Sequence, residues 1–111
     1  MLYIEDDNTI KLTRGDTARL TVPIINEIDG SFYDMNPNDI LTFTMRKTVT
    51  AADFLVQKIS HGNNHFHFLP QDTKGLKYGS YIYDVQLTTE AGDVYTVIVP
   101  TAFEVLTEVT Y

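Results

Sequence analysis

Three histidines, His61, His65 and His67, are the residues of this chain whose spacing comes nearest to a chemical site. On an extended strand His65 and His67 point to one face, and with His61 they could approach a zinc or nickel ion. Alternation gives a simpler account, in which Phe66 and Phe68 fill a core and the histidines face water. No carboxylate close in sequence completes a ligand set, so no metal is assigned and the three stand only as candidates. Glu5-Asp6-Asp7-Asn8 offers hard oxygen ligands, but a calcium loop needs carboxylates at spaced positions around a glycine. It reads as a solvated acidic bend.

Catalysis finds little to use. There is no cysteine, no Gly-x-Ser-x-Gly elbow and no phosphate-binding glycine loop. Ser31, Ser60 and Ser80 all lie in turn-like contexts. No catalytic or cofactor-binding residue is assigned, and the chain does not read as an enzyme.

Arg14-Gly15-Asp16 spells a tripeptide associated with cell adhesion. It sits between two alternating runs, Ile10-x-Leu12 and Ala18-x-Leu20-x-Val22-x-Ile24, and every letter suits a turn. Gly15 supplies a positive φ, Asp16 and Thr17 bond locally, and Arg14 is solvated. The expectation is a hairpin turn joining the first two strands.

Aromatic residues offer a different chemistry. The chain has seven tyrosines and no tryptophan. Tyr81 and Tyr83 share a strand face with Val85 and Leu87 and belong to a core. Tyr33 and Tyr78 fall in loops and are the interaction candidates, since tyrosine is enriched where proteins meet partners.

The elements that position these residues read almost throughout with period 2. Pro23 should place its strand at an edge or a bulge. Asp29-Gly30 suits a short hairpin between Ile24-Ile25 and Ser31-Tyr33. Leu41, Phe43 and Met45 share a face, and a further strand is expected from Phe54 to Ile59. His61 to Asn64 forms a turn, and His65 to Leu69 a strand. Pro70 to Leu76 is a short helical turn leading to Tyr81, which is placed to close a tyrosine corner. A strand from Tyr81 to Thr88 turns at Glu90 to Asp93 into Val94 to Val99. Pro100 interrupts, and Phe103, Val105 and Val109 continue as a last strand with Glu104 and Glu108 outward.

The expectation is one all-β domain over 1–111, an Ig-like antiparallel β-sandwich of about seven to nine short strands. The hydrophobic content of 43% is enough for one core, and the formal charge of −7 repels a phosphate backbone. Nucleic acid is not an expected partner. No apolar run approaches a membrane span, and "MLYIEDDNTIKL" has no basic stretch before an apolar one, so no signal peptide is expected.

Three groups of residues resemble a known pattern. They are Ile10-x-Leu12-x-Arg14-Gly15-Asp16-Thr17-x-x-Leu20, then Asp39-x-Leu41-x-Phe43-Thr44-x-Arg46-Lys47, then Pro70-x-Asp72-Thr73-x-x-Leu76-x-x-Gly79-x-Tyr81-x-Tyr83-Asp84-Val85. With the closing hairpin from Gly92-Asp93-Val94, the chain resembles small tail and baseplate structural proteins of tailed bacteriophages and prophages. It is nearest to the N-terminal domain of siphophage baseplate upper proteins. The resemblance implies a virion component made in the bacterial cytoplasm, docking onto other tail or baseplate proteins as an adaptor, with no cofactor and a possible homo-oligomer. The alternative is a bacterial surface-associated Ig-like module recognising carbohydrate or a host protein. A small metal-dependent enzyme using the histidines is a third reading.

Overall fold

A computed structural model describes residues 2–25 and 28–107. Among them are eight strands and one five-residue helix: β1 Leu2–Ile4, β2 Ile10–Thr13, β3 Ala18–Thr21, β4 Ile40–Arg46, β5 Val56–His61, β6 His65–Phe68, α1 Pro70–Lys74, β7 Gly79–Thr88 and β8 Val94–Leu106. The fold is all-β. Six strands form a mixed sheet in the order β1-β2-β8-β7-β4-β5, and β3 and β6 form a second, two-stranded sheet.

Alternation correctly gives the buried face of most strands. Leu41, Phe43 and Met45 of β4, Phe66 and Phe68 of β6, and Tyr81, Tyr83, Val85 and Leu87 of β7 are all buried. The two sheets meet through Phe43 at the centre of a ring cluster. Its centroid lies 5.1 Å from Phe68, 5.3 Å from Tyr83, 5.9 Å from Phe66 and 6.0 Å from Phe103. Ile10, Leu12 and Leu20 close the same core from β2 and β3.

Direction of pairing departs from the expectation. β2 and β3 are not a hairpin. β2 pairs with β1 antiparallel and with β8 in parallel, while β3 pairs only with β6. The six-stranded sheet is therefore mixed rather than antiparallel. The cause is local: at Arg14-Gly15 the chain leaves one sheet and enters the other instead of turning back along β2. Alternation fixes which face of a strand is buried, but not which neighbour it takes.

Other differences are smaller. β1 is a strand of its own, joined to β2 by the Glu5–Asn8 bend, where the Asn8 N–H donates to the Glu5 carbonyl. β5 starts at Val56, leaving Phe54 and Leu55 exposed before it. β8 runs through Pro100 as one strand, because its pairing with β7 shifts register between Tyr83 and Gln86 and Pro100 falls in that irregular stretch. Val109 and Glu108 lie outside the described residues.

Several expectations hold. β3, just before Pro23, has a single pairing partner and so forms an edge. Ile25 and Phe32 form one bridge across the Asp29-Gly30 turn. α1 lies where the helical turn was expected, with Pro70 in its first turn and the Asp72 carboxylate accepting from the Leu69 N–H at 2.7 Å. Gly62 turns β5 into β6 at φ +71°, and a Cβ there would meet the Pro37 carbonyl oxygen at 3.0 Å. That position needs glycine on both counts.

Candidate functional site

A densely bonded corner forms where Arg14-Gly15-Asp16 meets the connection from α1 to β7. Gly15 adopts φ +83°, and the Asp16 N–H donates to the Thr13 carbonyl at 3.1 Å, closing the turn. The Gly15 N–H donates to Oγ1 of Thr73, a buried residue of α1, at 2.8 Å. The Arg14 N–H donates to the Leu106 carbonyl at the end of β8. The Arg14 guanidinium lies 4.4 Å from the Tyr78 ring centroid and reaches the Leu76 carbonyl at 3.4 Å. Arg14 is thus half-buried and held by the fold, rather than solvated as the sequence suggested. Beside it the Tyr81 hydroxyl donates to the Lys77 carbonyl at 2.6 Å, the tyrosine corner expected from sequence.

Tyr78 keeps an exposed side chain at this corner, with Arg14 over its ring. Tyr33 is placed differently. It is half-buried against the core, and its hydroxyl donates to Asp39 Oδ2 at 2.5 Å. It is therefore not the exposed loop aromatic anticipated from sequence; its neighbour Phe32 is, at 73% exposure.

Asp39 is a residue that sequence reasoning passed over. It is fully buried and ties three segments together. Besides the Tyr33 hydroxyl it accepts the Asn36 N–H at 2.9 Å and, on Oδ1, the Glu90 N–H at 2.9 Å. The Tyr33 hydrogen bond, followed by the backbone donors, holds its carboxyl below the usual carboxylate range, with burial acting in the opposite sense. The same bond raises the Tyr33 phenol. The available signal was Asn36-Pro37-Asn38-Asp39 directly before a strand, since a short acid there can accept local N–H groups. In the core, burial pushes the Tyr83 phenol up to about 12 while its hydroxyl donates to the Asn8 carbonyl.

His61 lies on β5 and His65 and His67 on β6, all exposed. His65 Nδ1 is 2.9 Å from Thr21 Oγ1 across the β3–β6 pair. Among the described residues no three His, Asp or Glu side chains are grouped so as to hold a metal ion, so the structure does not bring the histidines together as a ligand set. The Ser31 and Ser60 hydroxyls are engaged in turns, with Asp29 Oδ1 at 2.6 Å and Asn63 Oδ1 at 2.5 Å. An open, shallow depression lies at the acidic bend beside Ile4, Glu5, Asp6 and Asp7. No helix among the described residues is long and apolar enough to cross a membrane.

Apolar surface gathers away from the corner. Val94, Tyr95 and Val99 of β8 are 58%, 56% and 65% exposed. Ile25 and Phe32, joined by a bridge, form a second exposed apolar group, and Val49, Phe54 and Leu55 are exposed along the connection from β4 to β5. Such side chains suit protein contact better than small-molecule chemistry. No family model matches the chain, and neither a curated protein nor a solved structure does.

Proposed function

We propose that this chain is a virion structural protein of a tailed phage or prophage, a tail or baseplate component working as an assembly or adaptor module. The scaffold is read as an Ig-like β-sandwich, with β3 and β6 forming the smaller sheet. One observation carries the reading. Two motif groups quoted for the phage resemblance lie nearly sixty residues apart in sequence, yet they sit against each other as one corner. Gly15 bonds Thr73, and Arg14 covers Tyr78. Residues that any strand or turn might use independently are here parts of one unit. The exposed apolar groups on β8 and the loops give such a module surfaces for neighbouring proteins.

The reading is tested on particles. Virions are prepared by induction of the strain carrying the gene, and tails are examined by mass spectrometry and by immunogold labelling against this chain. The chain is expected in purified particles, at the tail or its distal end. Its absence from particles while it is expressed in the same cells would refute the proposal.

A further inference from the structure

We infer that Asp29-Gly30 is a site of spontaneous backbone modification, at which Asp29 converts to isoaspartate through a cyclic imide. The reaction needs a carboxyl carbon that the next residue's amide nitrogen can reach. Gly30 has no side chain to shield that nitrogen. No other aspartate or asparagine of the chain precedes glycine. Asp16, Asp39, Asp72, Asp84 and Asp93 all precede β-branched residues, which crowd the corresponding nitrogen.

The fold keeps the site open. Asp29 and Gly30 are both exposed, at the turn closed by the bridge between Ile25 and Phe32. Gly30 adopts φ +73°, and nothing lies within 4 Å of the place a Cβ would take, so water has access. Asp29 Oδ1 accepts the Ser31 N–H at 2.9 Å and the Ser31 hydroxyl at 2.6 Å. The bond to the Ser31 N–H curls the Asp29 side chain back over Gly30. Both donors rest on the oxygen that gains negative charge when the carboxyl carbon is attacked.

The Gly30 nitrogen attacks Cγ of the protonated carboxyl. A Cγ–N bond forms and the Cγ–Oδ2 bond breaks, and Oδ2 leaves as water with its own proton and the one the nitrogen gives up. Water then adds to the main-chain carbonyl carbon of Asp29. The bond from that carbon to the Gly30 nitrogen breaks, the nitrogen takes back a proton, and the chain continues through Cγ. One water is lost and one is gained, so the mass is unchanged and no other reactant takes part. The ionised carboxylate has no hydroxyl to lose. Hydrogen bonds from the Ser31 hydroxyl and then its N–H hold the Asp29 carboxyl below the usual range, so conversion speeds up as pH falls. The product has one more methylene in its main chain between Ile25 and Phe32. It shifts Phe32 against Ile25 and so redraws an exposed apolar group. The inference rests on this turn alone and does not depend on the virion reading.

The test incubates the folded chain for several weeks at about pH 5 and about pH 7.5, then maps its peptides by mass spectrometry. Isoaspartate is read from its diagnostic fragment ions and from labelling by an isoaspartyl methyltransferase. It should accumulate at Asp29 ahead of every other aspartate, and faster at the lower pH. Asp29→Asn loses ammonia in place of water and should reach the same product sooner. Gly30→Ala should slow conversion at least about tenfold, and Asp29→Glu, which keeps the charge but forms a larger ring, should not convert measurably. A folded chain that stays unmodified at Asp29 overturns the inference, whether or not the urea-unfolded chain reacts. So does isoaspartate spread evenly over the aspartates, or a Gly30→Ala chain that converts as fast as wild type.

Discussion

The Arg14 corner and the β7–β8 hairpin use the same kinds of residue to opposite ends. At the corner an arginine, a tyrosine and backbone N–H groups are turned inward: Arg14 covers Tyr78, Gly15 bonds Thr73, and Tyr81 bonds Lys77. In the hairpin a tyrosine and valines are turned outward: Tyr95, Val94 and Val99 are more than half exposed. A segment that spells a binding signal is consumed by the fold, and a segment that spells an ordinary strand is left facing outward. Recognition has to be sought where hydrogen-bonding groups and apolar area are unused, not where a short motif is familiar.

Substitutions can break this contrast, beginning where the effect should be largest. Gly15→Val forces a β-branched residue to φ +83° and should cost about 2–3 kcal/mol in urea unfolding. A neutral result would mean that the corner can reshape freely. Thr73→Val keeps shape but removes the acceptor of the Gly15 N–H, for an expected loss of about 1–3 kcal/mol. Tyr81→Phe deletes one hydroxyl at the tyrosine corner and should cost about 1 kcal/mol. Val99→Lys, in the hairpin, should change monomer stability by less than about 0.5 kcal/mol. If it cost as much as Thr73→Val, the hairpin would belong to the packed structure and the contrast would fail.

Acid sharpens the comparison at a third place. Asp39 has a folded pKa below its unfolded value, which is about 3.9. Its contribution is therefore present above that pH and is lost as pH falls through the folded value. Asp7 and Asp29 are lowered in the same direction, chiefly by hydrogen bonds from Thr9 and Ser31 respectively. Urea midpoints should fall between pH 5 and pH 2.5, and Asp39→Asn should flatten that fall. An unchanged slope in Asp39→Asn would remove Asp39 as a source of the acid sensitivity.

The sequence is legible here where physics is local. Alternation in β4, β6 and β7 identifies the buried faces, because a strand's side chains alternate whatever it pairs with. The α1 turn and the Tyr81 corner follow from Pro70, Asp72 and the spacing to Tyr81. Pairing partners are less accessible, since Ile10 and Leu12 would be buried equally well beside β3 or beside β8. Pro100 looks like a strand breaker, yet the irregular stretch of the β7–β8 pairing accommodates it. Arg14 reads as solvated and Asp39 draws no reading of its own, and only the fold brings the ring and the donors that hold them. The open edge of β8 is invisible in one dimension, because it is defined by where β2 stops.

Amide hydrogen exchange on the wild-type chain at about 20 µM tests the contrast most directly. The Gly15 amide should be strongly protected. Amides of Val94–Ala102 that point away from β7 should exchange rapidly. Slow exchange along that edge, or rapid exchange at Gly15, would contradict the account.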